Sequence, residues 1–270
     1  MMRAAFCGAV LALVLSAPAV AATPSYAVID LGVQQSGEGL LWRGIVGTPA
    51  PGSYPIPSGA IGTLYASNSV ATVGTVTRSD TEIDAALWTV DSKGNLVFTN
   101  IGVLPGGVGV GRFPFAAAYG VNKVGDVVGV TDTPYTVNTS NGTRGTTHAF
   151  LWNSETVRDL GTMRDLGSIA GNGYFSQAEG VNDSREIVGW TNTISSVTGE
   201  TLQRAFIYIN GTMLNLTFYL VGGPTVLLSD ATAIDCQGNI SAIGTPASGG
   251  SGWPHTYLLI RQGAQRTCAN

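Results

Sequence analysis

The stretch His148-Ala149-Phe150-Leu151-Trp152, followed by Gly180-Val181-Asn182 and Ile187-Val188-Gly189, decides the fold because the same succession stands elsewhere in the chain. Asp84-Ala85-Ala86-Leu87-Trp88 leads to Gly120-Val121-Asn122 and Val127-Val128-Gly129. Arg204-Ala205-Phe206-Ile207-Tyr208 leads to Ala233-Ile234-Asp235 and Ile240-Ser241-Ala242. The copies lie 51 to 64 residues apart, counting from 84 to 148, 204 and 255. Self-similarity at such a period means one supersecondary unit repeated along the chain.

Each unit reads as four segments. The first ends on an aromatic, at Trp88, Trp152 or Tyr208. The second ends at Ile101-Gly102, Leu160-Gly161 or the degenerate Leu216-Thr217. Glycine-rich loops follow at 103–114, 161–176 and 221–228. The third and fourth segments are joined by Asn122-Lys123-Val124-Gly125, Asn182-Asp183-Ser184-Arg185 and Asp235-Cys236-Gln237-Gly238. An Asx side chain at the start of such a group bonds the backbone just ahead, and glycine near its end takes positive φ cheaply. Flanked by Val and Ile, these groups predict β-hairpins. No window repeats apolar residues at helical spacing between caps, so helices are minor at most.

The two ends of the array decide the topology. Tyr26-Ala27-Val28-Ile29-Asp30-Leu31-Gly32 reads as a second segment with no first segment before it. Tyr65 to Asn68 and Thr72-Val73-Gly74 then make a third and fourth pair, and His255 to Ile260 reads as a first segment with nothing after it. The fragments sum to one unit, which makes four. The predicted fold is all-β: a four-bladed β-propeller closed by pairing of the N- and C-terminal strands, which removes exposed sheet edges. The alternatives are an open β-repeat array or a solenoid. Long polar segments at Gly32 to Gly62, Thr131 to Thr147, Asn192 to Gln203 and Pro246 to Trp253 read as surface loops. Three of the four follow a fourth segment, so in a propeller they gather on one face, with the glycine-rich loops on one common side.

Residues 1–22 read as a secretory signal peptide, with Arg3 in the n-region, Ala9 to Leu15 as the apolar core and Ala19-Val20-Ala21 before the cut. That run is too short for a permanent span, and no membrane span is expected in the mature chain. The expected division is signal peptide 1–22, repeat domain 23–263 and tail 264–270, with the protein extracellular or periplasmic. Only 11% of residues are charged and 37 are glycine, as suits a turn-rich exported β protein. The net charge of −4 leaves no basic stripe for nucleic acid. Cys236 and Cys268 remain after cleavage, and in an oxidising compartment the expected state is a disulfide, with two free thiols as the alternative.

The units resemble the extracellular HAF repeat family, named for the tripeptide standing here as His148-Ala149-Phe150. The supporting pattern is an aromatic after it, an Asp-Leu-Gly-Thr stretch, the loop Leu104-Pro105-Gly106-Gly107, then Val-Asn and Val-Val-Gly. Residues 148–191 match best, and the copy around Asp235 departs most. The resemblance covers most of 26–260. It implies a bacterial exported repeat protein and carries over no catalytic residue.

Chemistry is sparse. His148 and His255 share one repeat position, held by Asp84 and Arg204 in the other copies. A catalytic base is normally unique, so the pair is expected to bond a neighbouring blade at the start of a strand. Metal binding needs convergent ligands at set spacing, and none is present, so no metal and no cofactor are expected. Gly-x-Ser-x-Gly and Ser-x-x-Lys are absent. Gly106-Gly107-Val108-Gly109-Val110-Gly111 lacks the Lys-Ser/Thr ending and the helix of a phosphate loop. Asp159, Asp165, Glu179, Asp183 and Glu186 are the acids a glycoside hydrolase could draw on, mostly in turns. Phe113, Phe115, Tyr174 and Phe175 lie in or beside glycine-rich loops, where aromatics on a rigid scaffold suit stacking on sugar or peptide. The expected function is a non-catalytic binding or scaffold module whose partner is a polysaccharide or an envelope protein. The alternative is a secreted polysaccharide hydrolase or lyase with acids facing a central channel.

Overall fold

The computed structural model describes residues 23–33, 54–78, 82–107, 113–139, 142–153, 162–223, 225–247, 253–263 and 268. The proposed signal peptide, Asp159 to Gly161 and most of the tail lie outside them.

Sixteen strands form four antiparallel four-stranded sheets. Sheet I contains β2 (Ala60–Ser67), β3 (Ala71–Arg78), β4 (Glu82–Val90) and β5 (Leu96–Gly102). Sheet II contains β6 (Ala116–Val121), β7 (Val127–Thr139), β8 (Gly142–Asn153) and β9 (Thr162–Asp165). Sheet III contains β10 (Ser176–Val181), β11 (Ile187–Ile194), β12 (Thr201–Ile209) and β13 (Thr212–Asn215). Sheet IV is assembled from both chain ends: β14 (Val226–Ile234), β15 (Ile240–Pro246), β16 (His255–Arg261) and β1 (Tyr26–Val33). The expected terminal pairing is present, with Tyr26 opposite Arg261 and Val28 opposite Leu259. Among the described residues, the one helical element is a 3-10 turn at Leu216–Tyr219.

Two features set the strand geometry. β2, β6, β10 and β14, each at one edge of its sheet, carry a β-bulge before the turn, between Leu64 and Ala66, Ala118 and Gly120, Ala178 and Gly180, and Ala231 and Ala233. Opposite the bulge stands the glycine of the Val-Val-Gly motif. A Cβ on Gly74, Gly129 or Gly189 would collide with the carbonyl of Thr63, Ala117 or Gln177. That is why the motif needs glycine there. β14 has a second bulge between Leu228 and Asp230, opposed by Gly244; at its first bulge Ala242 stands where the other copies have glycine.

The second segment of sheet II is displaced from the sequence reading. It is not the stretch ending at Leu160-Gly161 but β9, which runs into Asp165-Leu166-Gly167. The four copies then superimpose by one Asx turn: the side chains of Asp30, Asn100, Asp165 and Asn215 accept from the backbone N–H two residues on, at 2.8, 3.2, 2.7 and 3.1 Å. The loop expected at 161–176 accordingly begins after β9.

Buried clusters join the sheets in succession. Val73 and Leu87 of sheet I meet Phe150 and Trp152 of sheet II. Val128 and Leu151 of sheet II meet Phe206 and Tyr208 of sheet III. Val188 and Ile207 of sheet III meet Tyr257, Leu259 and Tyr26 of sheet IV. The aromatic closing each first segment is thus core, as its repeat position suggests. Trp88 turns to the remaining face of sheet I, where Tyr54 and Phe98 pack on it and the Pro55 carbonyl accepts from its Nε1 at 2.8 Å. Among the described residues, no buried cluster joins sheet IV to sheet I.

A hydrogen-bond relay locks the short turns together at one end. Asn68 donates from Nδ2 to the Val121 carbonyl, Asn122 to that of Asn182, and Asn182 to that of Asp235, at 3.1, 3.1 and 3.2 Å. Asn122 and Asn182 also donate to an acid four residues on, Asp126 and Glu186. Each acid takes a guanidinium from the next sheet, Arg185 on Asp126 at 3.0 Å and Arg261 on Glu186 at 2.6 Å. Arg185 accepts a positive φ of 59° in that turn. In the last copy the polarity inverts: Asp235 accepts from Asn239 and has no proton to pass on. The relay ends there.

Candidate functional site

Since the relay gathers the short turns at one end, the connectors between sheets and the hairpins from each second strand to the third lie at the other. The four aromatics singled out from the sequence belong to this loop end. Phe115 and Phe175 occupy equivalent positions just before β6 and β10, fixed by reciprocal backbone bonds to Asp132 and Asn192. Both rings are half-buried, as is Tyr174, while Phe113 is 43% exposed. Arg144, from the long hairpin formed by β7 and β8, places its guanidinium 5.2 Å from the Phe175 ring centroid, a cation–π contact. The same hairpin exposes Tyr135. Thr146, also in the hairpin, donates to the Asn172 carbonyl, so it leans onto the connector carrying Tyr174 and Phe175. Phe113 and Phe115 stand one sheet away at the same end. Tyr135 and Arg144 fall in the segment read as a surface loop, 131–147, which is instead the extended hairpin of β7 and β8; neither was singled out as a site residue.

The histidines are structural. His148 is fully buried, with Nδ1 2.8 Å from Asp165 and Nε2 3.0 Å from the Tyr174 carbonyl. His255 repeats the first contact, 2.9 Å from Asp30. The equivalent Asp84 takes Asn100 at 2.8 Å and Arg78 at 3.3 Å. The expected bond to a neighbouring blade is therefore corrected: the partner is the Asx-turn residue of the same sheet, with the connector to sheet III as second partner for His148. The hydroxyl of Tyr257 is buried beside this pair, and desolvation, then the Asp30 carboxylate, pushes it above the usual phenol range.

Of the other acids considered from the sequence, Asp183 accepts from the Lys123 N–H and Glu186 belongs to the relay. Glu179 differs: it is the bulged residue of β10, with Gln177 donating to it at 2.5 Å. Tyr65, Tyr119 and Thr232 hold the same bulge position in the other sheets, and the rings of Tyr65 and Tyr119 meet at 5.1 Å. Beside Glu179, on β14, lies Asp230, which the sequence reading missed. Burial and then the charge of Glu179 push its carboxyl up to about 7, against one lowering bond from the Ala231 N–H. A bulge register could have revealed it; hydrophobic alternation alone could not. Among the described residues, no group of three or more His, Cys, Asp or Glu side chains is placed to hold a metal ion.

Cys236, in the turn after β14, and Cys268, beyond β16, come together in disulfide geometry with Cα atoms 5.4 Å apart.

No family model, no curated protein and no solved structure matches the chain.

Proposed function

We propose that the four sheets are blades of a four-bladed β-propeller and that the protein is an exported, non-catalytic binding module of the HAF-repeat type, engaging a polysaccharide through its loop end. The observation carrying the reading is that the suspected catalytic groups are already engaged in repeated structural contacts, His148 and His255 on Asx-turn acids. The loop end meanwhile presents Phe113 and Tyr135 to solvent. Aromatic faces on a rigid scaffold suit stacking on sugar rings. The propeller reading is supported by the facing of the aromatic position. Trp152 and Tyr208 turn toward the preceding sheet, and Trp88 points to the side where sheet IV would close. Half-buried Ile243, Leu258 and Ile260 alternate with Tyr257 and Leu259 and so occupy the matching face of sheet IV.

A glycan and envelope-component binding screen of the mature protein tests the function, with Phe113→Ala and Tyr135→Ala as site variants. Retained binding in both variants would place the ligand elsewhere. An experimental structure with sheet I apart from the Leu258 face would replace the ring by an open array. Polysaccharide hydrolysis or lysis is the second reading, favoured by the Glu179 and Asp230 pair alone; release of reducing ends from a bound glycan would establish it.

A further inference from the structure

We propose that Asp230 and Glu179 form a proton latch between sheets III and IV: strands β10 and β14 lie closed while Asp230 keeps its proton and loosen when it is lost to solvent. The latch does not depend on ring closure or on the ligand, because it belongs to a seam present either way.

The seam is tight at this place. A Cβ on Gly180 would stand 3.4 Å from the Ala233 Cα and 3.4 Å from the Ile234 nitrogen, so the two strands are in backbone contact one residue from Glu179. Bulges hold both acids in position, Glu179 being the extra residue of β10 and Asp230 following the extra residue Ser229 of β14. Asp230 Oδ1 is buried without a hydrogen-bond partner. An ionised oxygen in that state loses its hydration with nothing in return, whereas a neutral carboxyl loses far less. Gln177 donates to Glu179, whose charge is the second cause holding the Asp230 carboxyl up.

The groups bearing on Asp230 are Glu179 and the Ala231 N–H, with no cation among them. β6, β7 and β8, which also pack on β10, contribute Tyr119, Asp132, Tyr135, Arg144 and His148. β11 and β15 carry no titratable side chain. The 3-10 turn contributes Tyr219, and β12 contributes Tyr208, which lies against Arg164, and Arg204, which donates to the Gln203 carbonyl. β10 contributes Glu179.

The direction follows from the raised carboxyl of Asp230. Below its ordinary value of 3.8 both open and closed states hold the proton; between 3.8 and about 7 only the closed state does. Closure therefore weakens as pH rises through that window, and the loss is complete above about 7. From pH 5 the remaining span is about two pH units, so the opened population should rise by about a hundredfold by pH 8.5.

Hydrogen–deuterium exchange of the mature protein at pH 5.0 and 8.5, corrected for the chemical pH dependence of exchange, reads this directly. Peptides covering 176–181 and 226–234 should gain about a hundredfold in opening, against little change in 82–90. Asp230→Asn should stay at the closed level at both pH values, and Glu179→Gln should shrink the change. Infrared spectra of the unmutated protein give a second reading that needs no variant: a protonated carboxyl band at pH 5.5, gone at pH 8.5. Equal exchange at both pH values, the same rise in Asp230→Asn, or no carboxyl band at pH 5.5 overturns the latch.

Discussion

Replacing Asn182 by alanine tests the turn relay most sharply. The side chain is 4% exposed and makes four bonds. Its Oδ1 accepts from the Ser184 and Glu186 N–H groups, and its Nδ2 donates to Glu186 Oε2 and the Asp235 carbonyl. Truncation strands the buried Glu186 N–H, while the Asp235 carbonyl keeps the Gly238 N–H, Ser184 can turn to water and Glu186 keeps Arg261. An unsatisfied buried group costs about 1–3 kcal/mol, so the loss is about 2 kcal/mol. In a chain of this size that is a fall in Tm of about 6 °C. Asn182→Asp keeps both backbone acceptances but sets a carboxylate against Glu186, where the lost donation ran at 2.9 Å, so it should destabilise at least as much as alanine; Asp235 avoids this because it faces Asn239. The assay is thermal and urea unfolding followed by circular dichroism. A Tm within 1–2 °C of the unmutated protein, where Asn68→Ala behaves identically despite its half-exposed site, would refute the relay as a stabilising device.

N-terminal sequencing of exported protein should begin at Ala22 or Thr23; a start at Met1 would remove the signal peptide from the reading. Truncation after Trp253 removes β16 and bares Tyr26 and Val28, both in the core of sheet IV, so it should aggregate or lose cooperative unfolding in a melt. Reducing the Cys236–Cys268 bridge, 32 residues apart in sequence, should lower stability by about 3–4 kcal/mol in denaturant titrations with and without reductant. His148→Ala should destabilise by about 2–4 kcal/mol through the stranded Asp165 and Tyr174 carbonyl, leaving ligand affinity of the folded fraction unchanged in calorimetry.

Turn chemistry made most of the fold legible. Asn122, Asn182 and Asp235 marked hairpins where hairpins stand, and the two orphan end segments pointed to the pairing of β1 with β16. What misled was local degeneracy. This unit carries two Asp-Leu-Gly triplets, at 159–161 and 165–167, and only the register against Phe150 shows that the second one serves. Leu31 of the N-terminal segment is 53% exposed because the strand pairing shifts register after Asp30. The site was less legible than the fold. Phe113 could be placed at a loop by its glycine neighbours, but the approach of Arg144 to Phe175 depends on hairpin length, and Asp230 on a second bulge. Side-chain periodicity does not encode an inserted residue that resets the face.

The pairing of β1 with β16 also decides how this protein answers to tension. Because Tyr26 lies opposite Arg261, the two strands begin and end at the same edge, and opposed pulls on the flanking chain would peel their bonds one at a time. A zipper of that kind yields at low force, whereas a sheared pair resists with all its bonds together. With the bridge intact, however, a pull arriving beyond Cys268 passes through sulfur to Cys236 and enters the turn between β14 and β15. The last strand is then bypassed. Oxidation would thus move the point of first yield from the β1 edge of sheet IV to the hairpin at its other edge, making the tether on the chain's end a choice of load path as much as a lock.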